Sequence, residues 1–408
     1  MIEVAIILFI YLSAKLTLDI LQIYTVKNTK IDDKSLKLLD ISEENDKKSR
    51  EYNISKLYLS IIRNIFYVGY IYVLLLAGLF KYVNESLNNY DLSSYFVNLS
   101  SILMAYLIIY ISMLPFSFYS NFVIENRYEF NTSTKLLFFK DNLISLTLTL
   151  MIVSLLSSVF FYIVTYQNLW WLLMSLTMFS VIIISMFIYP IYISPIFNKF
   201  KKLQDENIKD EIKDLSESTD FSIENLFVMD RSKRSKHPNA YFTGFSSNRR
   251  IVFYDTLINL LTPKEIKAVL AHEIGHYKRN HINKSLIIST LIIFIGMFLI
   301  SQLVNNSNYL EMLNLNNSES SQLIALFFTY QIISFFTDPF FSTLSRKNEY
   351  EADIFASKQV KKEYLISSLV KLYKSNLSFL VPNKFYAIFY FSHPTVLERI
   401  NNLRSNNE

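Results

Sequence analysis

A chain of 408 residues with 51% hydrophobic, 16% aromatic and only 18% charged side chains is too apolar for a water-soluble domain, which carries about a quarter charged residues. Its net charge of +5 is small for that length and argues against nucleic-acid binding. With no cysteine, disulfides and thiolate metal sites are excluded, and any metal must be held by His, Asp or Glu.

The apolar residues fall in long blocks. A membrane-crossing helix needs about 20 mostly apolar residues, and seven stretches qualify: 2–25, 57–82, 100–120, 141–165, 170–194, 285–304 and 321–341. No basic residue precedes the first block and no small-residue cleavage site follows it, so it is expected to be a retained span. That span carries Lys15 and Asp19 at i and i+4, which is either a water-facing polar stripe or a locally paired couple near the membrane end. Arg63 and Asn64 in the second stretch admit the same two readings.

The connecting segments set the topology. Segment 26–56 holds Lys27, Lys30, Lys34, Lys37, Lys47, Lys48, Arg50 and Lys56, and 121–140 holds Arg127, Lys135 and Lys140. Block 195–284 and the tail from Arg346 are also basic, whereas 83–99, 166–169 and 305–320 have no Lys or Arg. Seven spans put every basic segment on one side, which the positive-inside rule makes the cytoplasm. Trp170 and Trp171 open the fifth span, where an interfacial aromatic anchor is expected.

Between the fifth and sixth spans lies a polar insertion. Residues 201–219 look like a charged amphipathic helix, and Leu226–Met229, Asn239–Phe245 and Arg249–Asp255 look like short strands, with Ser246-Ser247-Asn248 as a hairpin turn. Thr262 with Glu265 then reads as a capping box, with Pro263 at the first helical position. The helix that starts there carries His272 and His276 at i and i+4, so both rings leave one face and occupy two corners of a tetrahedral zinc site. Glu273, one residue on, stands where a carboxylate can deprotonate a water held by the ion. The competing reading is an exposed helix that carries two His by chance. Against it stands Gly275, which costs a helix interior about 1 kcal/mol relative to Ala. It is one of only five glycines and implies a close neighbour, such as a substrate strand.

Two His leave one protein ligand missing. Glu349 is the best candidate, on a helix just after the seventh span; Asp353, at i+4, can accept a hydrogen bond from the far nitrogen of a ligand His. Glu351 points elsewhere and is the spare. His393 and Arg399 could stabilise the negative charge built on a peptide carbonyl under attack. Alternatively, Ser392 or His393 before Pro394 is simply a helix start. Asn239, Ala240 and Tyr241 could form an edge strand that takes a peptide by backbone hydrogen bonds, or an ordinary hairpin strand.

These residues together resemble the type I CAAX prenyl proteases, integral-membrane zinc metallopeptidases. The likeness includes Phe122-Val123-Ile124-Glu125, Phe130-Asn131, Thr134, Tyr189-Pro190 and Ser194-Pro195-Ile196-Phe197. It continues through Asn239-Ala240-Tyr241, Arg250-Ile251-Val252, Asp255-Thr256-Leu257, His272 to His276, His281, Glu349, Ala352-Asp353, His393-Pro394 and Glu398-Arg399. Glu129 departs from it, standing where the family often has Gly, and leaves that loop's conformation open.

The resemblance implies an all-α membrane protein of about seven helices around a large chamber, with a small α+β zinc metallopeptidase domain on the cytoplasmic side. It implies His272, His276 and Glu349 as ligands of one zinc, Glu273 as general base, Asp353 behind a ligand, His393 and Arg399 near the oxyanion, and Asn239, Ala240 and Tyr241 on the substrate backbone. The expected organisation is 1–195 for five spans, 196–284 for the peptidase insertion, 285–342 for two more spans, and 343–408 for the segment that completes the site.

The expected function is a zinc endopeptidase acting on peptide or protein substrates, lipidated or membrane-associated, among membrane lipids and without nucleic acid. The rivals are a quality-control protease of the HtpX type and a non-catalytic scaffold or lipid carrier with structural zinc. The end of the chain, Ser405-Asn406-Asn407-Glu408, has no dilysine signal. With the composition, that points to a bacterial inner membrane rather than the endoplasmic reticulum, which would argue against a prenylated CAAX substrate.

Overall fold

The computed structural model describes the whole chain except residues 32–35, 37, 38, 220, 244–249 and 406–408. The expected hairpin turn at Ser246–Asn248 lies outside the described residues.

Among the described residues, seven helices are long and apolar enough to cross a membrane: Ile2–Asn28, Glu43–Leu76, Ser94–Glu125, Lys135–Tyr166, Trp170–Phe197, His281–Val304 and Glu319–Gln359. They are called the first to seventh spans below. Only 11–28% of each span's most apolar window is buried. Helices that cover so little of one another form walls between lipid and a hollow interior rather than a solid bundle.

Two spans depart from the sequence expectation. The second starts at Glu43, capped by Ser42, and ends at Leu76, because Gly78 takes φ +62° and turns the chain into a separate helix, Leu79–Asn88. The seventh does not stop at the membrane edge. It runs unbroken for 41 residues through Pro339 to Gln359, so the same helix crosses the membrane and carries Glu349 and Asp353.

Polar residues inside the spans are matched in part. Lys15 does not form an ion pair with Asp19 among the described residues. Its Nζ lies 3.3 Å from the Tyr11 hydroxyl and over the Tyr11 and Phe335 rings. Asp19 is buried and accepts hydrogen bonds from Ser60 and Asn64 on the second span. Asp19 therefore bridges to the second span, while Lys15 keeps a hydrogen-bond partner on its own helix.

The insertion builds a four-stranded sheet in the order β1-β2-β4-β3: β1 is Phe200–Lys202, β2 Leu226–Met229, β3 Ala240–Thr243 and β4 Arg250–Tyr254. β1 and β2 are antiparallel, β2 and β4 parallel, and β3 and β4 antiparallel. β1 was not expected; its three residues are too short to show an alternating pattern. The helix Glu206–Thr219 buries Ile208, Ile212 and Leu215, spaced i, i+4, i+7, in the same core as Ile251 and Phe253 of β4. The helix Pro263–Lys278, the motif helix, contributes Ile266, Leu270 and Ile274 to that core.

The motif helix begins as its sequence predicts, with the Thr262–Glu265 capping box present. Glu265 also takes a hydrogen bond from Ser367 at 2.6 Å and pairs with Lys371 at 2.7 Å, which ties this helix to Lys362–Ser375. The expectation for Gly275 is corrected in one respect. Its close neighbour is not a substrate strand but the seventh span: a Cβ on Gly275 would lie 3.1 Å from both Cα and O of Ala352. Glycine lets the two helices touch backbone to backbone, which brings Glu349 and Asp353 up to the two His.

Candidate metal centre

His272 and His276 sit one turn apart on the motif helix with Nε2 atoms 3.2 Å apart. Glu349 reaches across from the seventh span, with Oε2 3.4 Å from His272 Nε2 and Oε1 3.2 Å from His276 Nε2. Atoms held about 2.0–2.2 Å from a tetrahedral ion stand about 3.3 Å from one another. The three donors have that spacing.

The surrounding hydrogen bonds fix which nitrogens carry protons. His272 Nδ1 faces Asp353 Oδ1 at 2.9 Å, so it donates there and leaves Nε2 with a lone pair. Asp353 is fully buried and also receives the Arg399 fork, Nε to Oδ2 at 2.8 Å and Nη2 to Oδ1 at 2.6 Å. His276 Nδ1 lies 3.0 Å from His281 Nδ1, and His281 Nε2 lies 3.2 Å from Glu351 Oε2. A proton donated from His281 to Glu351 leaves His281 Nδ1 as acceptor for His276. His276 Nε2 is then also a bare lone pair. Two lone pairs and a carboxylate facing one another repel unless a cation lies between them. Glu349 Oε2, buried, has no hydrogen-bond partner among the described residues, as a metal ligand would not. The residues present therefore fit a divalent cation.

Electrostatics agree with that fit. Burial and the Arg399 charge both oppose protonation of His272. The negative Asp353 and Glu349 carboxylates beside it outweigh them and raise its pKa to about 9, so a proton competes with the metal for this nitrogen. Glu273 is half-buried on the same helix, and desolvation raises its pKa above the ordinary carboxylate value, the direction a group that both takes and returns a proton requires.

Glu273, His272, His276 and Glu349 border a cavity of about 600 Å³, walled by Ile182 and Met186 of the fifth span and Leu286 of the sixth. Asn239, Ala240, Tyr241 and His393 also line it. Ala240 and Tyr241 lie on β3, which is the edge of the sheet. His393 is exposed to the cavity, with Nε2 3.3 Å from Glu349 Oε1. The helix Val396–Ser405 starts at Thr395, whose backbone N–H and hydroxyl both bond Glu398. His393 is therefore not needed as its cap. The Arg399 guanidinium is committed to Asp353 and lies 3.4 Å from Glu349; it also borders a smaller adjoining pocket with His272, Glu273 and His393. The His281–Glu351 pair was missed from sequence, where Glu351 was set aside as the spare.

A metal-binding pair of His with an adjacent carboxylate, completed by a membrane span and opening on a membrane cavity, defines an integral-membrane metallopeptidase. The family comparisons agree. The model for peptidase family M48 matches residues 202–407, and that for the CAAX prenyl protease N-terminal, five membrane helices, matches 22–199. The chain belongs to peptidase family M48.

It is 33% identical to the CAAX prenyl protease 1 homolog of Dictyostelium discoideum, over 89% of this chain and 87% of that one. It is also 33% identical to CAAX prenyl protease 1 of Saccharomyces cerevisiae, over 88% and 86%. The crystal structure of S. mikatae Ste24p superposes with a TM-score of 0.90 at 31% identity, covering 98% of this chain and 97% of that one. The protein is a membrane-embedded metalloprotease resembling the type I CAAX proteases.

Proposed function

We propose that this metalloprotease uses one zinc ion and hydrolyses internal peptide bonds of lipidated or membrane-associated substrates at the cytoplasmic face. The observation that carries the reading is the donor triangle of His272, His276 and Glu349 at 3.2–3.4 Å, with Glu273 beside it on the cavity wall. Histidine and carboxylate donors suit zinc. When bound there, zinc supplies Lewis acidity to the scissile carbonyl and to water.

The chain's own residues do the rest. Glu273 accepts the proton of the attacking water and delivers it to the leaving amine nitrogen. The peptide lies along the free edge of β3, with Asn239, Ala240 and Tyr241 against its backbone. His393, which faces the cavity, donates to the carbonyl oxygen as charge builds on it. Arg399 acts through Asp353 and Glu349, offsetting their charge and holding them in place, rather than touching substrate. The division into 1–195, 196–284, 285–342 and 343–408 belongs to this proposal: spans shape the cavity, the insertion presents the two His, and the last segments bring Glu349 and His393.

The Lys and Arg asymmetry of the loops supports the cytoplasmic side. Composition favours a bacterial inner membrane, while the named relatives, all eukaryotic, favour the endoplasmic reticulum.

The test is Glu273→Gln. The variant keeps a stoichiometric metal ion by elemental analysis, while turnover falls by about 10²–10⁴-fold and new protein termini disappear from cells that carry it. Wild-type turnover in this variant would remove the mechanism, and a structural-zinc scaffold would show no cleavage to lose.

A further inference from the structure

His393 reaches the metal centre from a segment that packing alone does not hold. It lies in the connection 391–395, between the short helix Lys384–Tyr390 and the helix Val396–Ser405. The short helix has no buried residue, so hydrogen bonds at its two ends must fix its position. At the start, Asn383 caps the helix and is itself held by the first span. Its backbone N–H donates to Gln22 Oε1 at 2.8 Å and its side-chain amide to Thr25 Oγ1 at 3.2 Å. At the far end, one guanidinium nitrogen of Arg346, Nη1, donates to the carbonyl oxygens of Ala387 and Phe391, at 3.0 and 2.7 Å. Carbonyls at a helix C-terminus lack intrahelical partners and carry partial negative charge, which a cation offsets. Phe391 stands two residues before His393.

Arg346 belongs to the seventh span, three residues ahead of Glu349, so both side chains leave one face of the same helix. Among the described residues Arg346 pairs with no carboxylate, and its other hydrogen bond, Nη2 to Thr343 Oγ1 at 2.8 Å, stays on its own helix. Its fork is therefore committed to the backbone that leads into His393. That imidazole in turn places Nε2 3.3 Å from Glu349 Oε1. A metal ligand and the cavity-facing ring are thus mounted on one helix, across two hydrogen bonds. The ring is oriented as well: Ser392 Oγ lies 2.8 Å from His393 Nδ1. With the hydroxyl as donor, the ring proton stands on Nε2.

We infer that Arg346 is a positioning residue for peptide hydrolysis: it holds the 391–395 segment so that His393 Nε2 stands where the scissile carbonyl oxygen develops charge. The inference rests on the role proposed above for His393. Among the described residues Arg346 does not line the cavity at the metal centre, so it acts through the backbone ahead of His393 and not on the substrate. Misplacing a catalytic group by about 1 Å costs about 10²-fold in rate, and a loss confined to turnover is expected.

The experiment uses the full chain in nanodiscs with saturating zinc and a quenched-fluorescence peptide that it cleaves, chosen from a randomised library. His393→Ala is expected to lower kcat by about 10²–10³-fold, the effect of removing one oxyanion donor. Arg346→Gln is expected to lower kcat by about 10–100-fold with KM little changed. Arg346→Lys keeps most of the wild-type kcat, because a single ammonium can serve both carbonyls as Nη1 does. Zinc affinity, read by competition against a chromophoric chelator, stays at the wild-type value in both Arg346 variants. The deciding measurement is the double variant. Adding Arg346→Gln to His393→Ala leaves kcat at the His393→Ala value, because the imidazole that Arg346 places is gone.

Losses that multiply in the double variant, weakened zinc binding in Arg346→Gln, or an Arg346→Gln chain that does not fold would make the residue a general support and overturn the inference. Wild-type kcat in Arg346→Gln would overturn it too. Each of these leaves the peptidase reading intact. Wild-type kcat in His393→Ala would instead remove the oxyanion role, and the inference with it. Failure to cleave any library member overturns the peptidase reading itself.

Discussion

His276 offers its Nε2 lone pair only while its Nδ1 holds the proton, and the His281–Glu351 pair enforces that choice through contacts of 3.0 and 3.2 Å. Removing the acceptor frees the ring to rotate or change tautomer. His281→Ala is therefore expected to weaken zinc affinity by about 10–100-fold, and Glu351→Gln by less, in competition against a chromophoric chelator. Unchanged affinity in both would mean that the pair is only packing. Asp353 behind His272 was legible in the sequence because it stands at i+4 from Glu349 on one helix. His281 was not, because its approach to His276 depends on how two helices join at Asn280. That residue takes a left-handed φ of +56°, a turn that side-chain pattern does not announce. Glu129 shows the converse. The sequence marked it as standing where the related proteases often have Gly, and its φ is +64°, the region that glycine enters without steric cost.

Among the elements, the contact of the motif helix with the seventh span decides whether the centre exists. Each helix alone carries an incomplete donor set, and Gly275 against Ala352 sets their separation. Gly275→Ala gains about 1 kcal/mol of helix propensity. The added methyl meets backbone atoms at 3.1 Å, and backbone cannot swing aside as a side chain can. Overpacking of this kind costs about 1–3 kcal/mol, so a lower melting temperature is expected. Zinc affinity should fall with it as Glu349 moves away from His272 and His276. Retained affinity with a higher melting temperature would show that the helices separate freely. The sequence signalled the close approach through a glycine placed at a cost inside the motif, but not its partner. The apolar run of the seventh span ends near residue 341, and charged residues crowd the chain from Arg346 onward. The helix continues because Asn348, Glu349, Ala352 and Asp353 are buried in the insertion, an environment that hydropathy along a single chain does not reveal.

For the whole molecule, the span count and the sidedness depend on each other. Seven spans were legible because bilayer thickness demands long apolar runs, and seven helices among the described residues meet that demand. The hollow they enclose was not legible from composition, since a residue facing lipid and one facing a cavity wall can both be apolar. An odd number of spans puts the two ends of the chain on opposite sides, and the loops without Lys or Arg all fall on the side away from the metal centre. The native chain has no cysteine, so single cysteines report sidedness without background. Asn89→Cys sits in an exposed turn before the third span, and Lys213→Cys on the exposed face of the insertion helix. In right-side-out vesicles an impermeant maleimide is expected to label the cysteine at 89 and spare the one at 213, with the pattern reversed in inverted vesicles. Labelling of both positions from one side would require an even number of spans between them. The membrane crossing of the third, fourth or fifth span, and with it the cytoplasmic placement of His272, His276 and Glu349, would then be wrong.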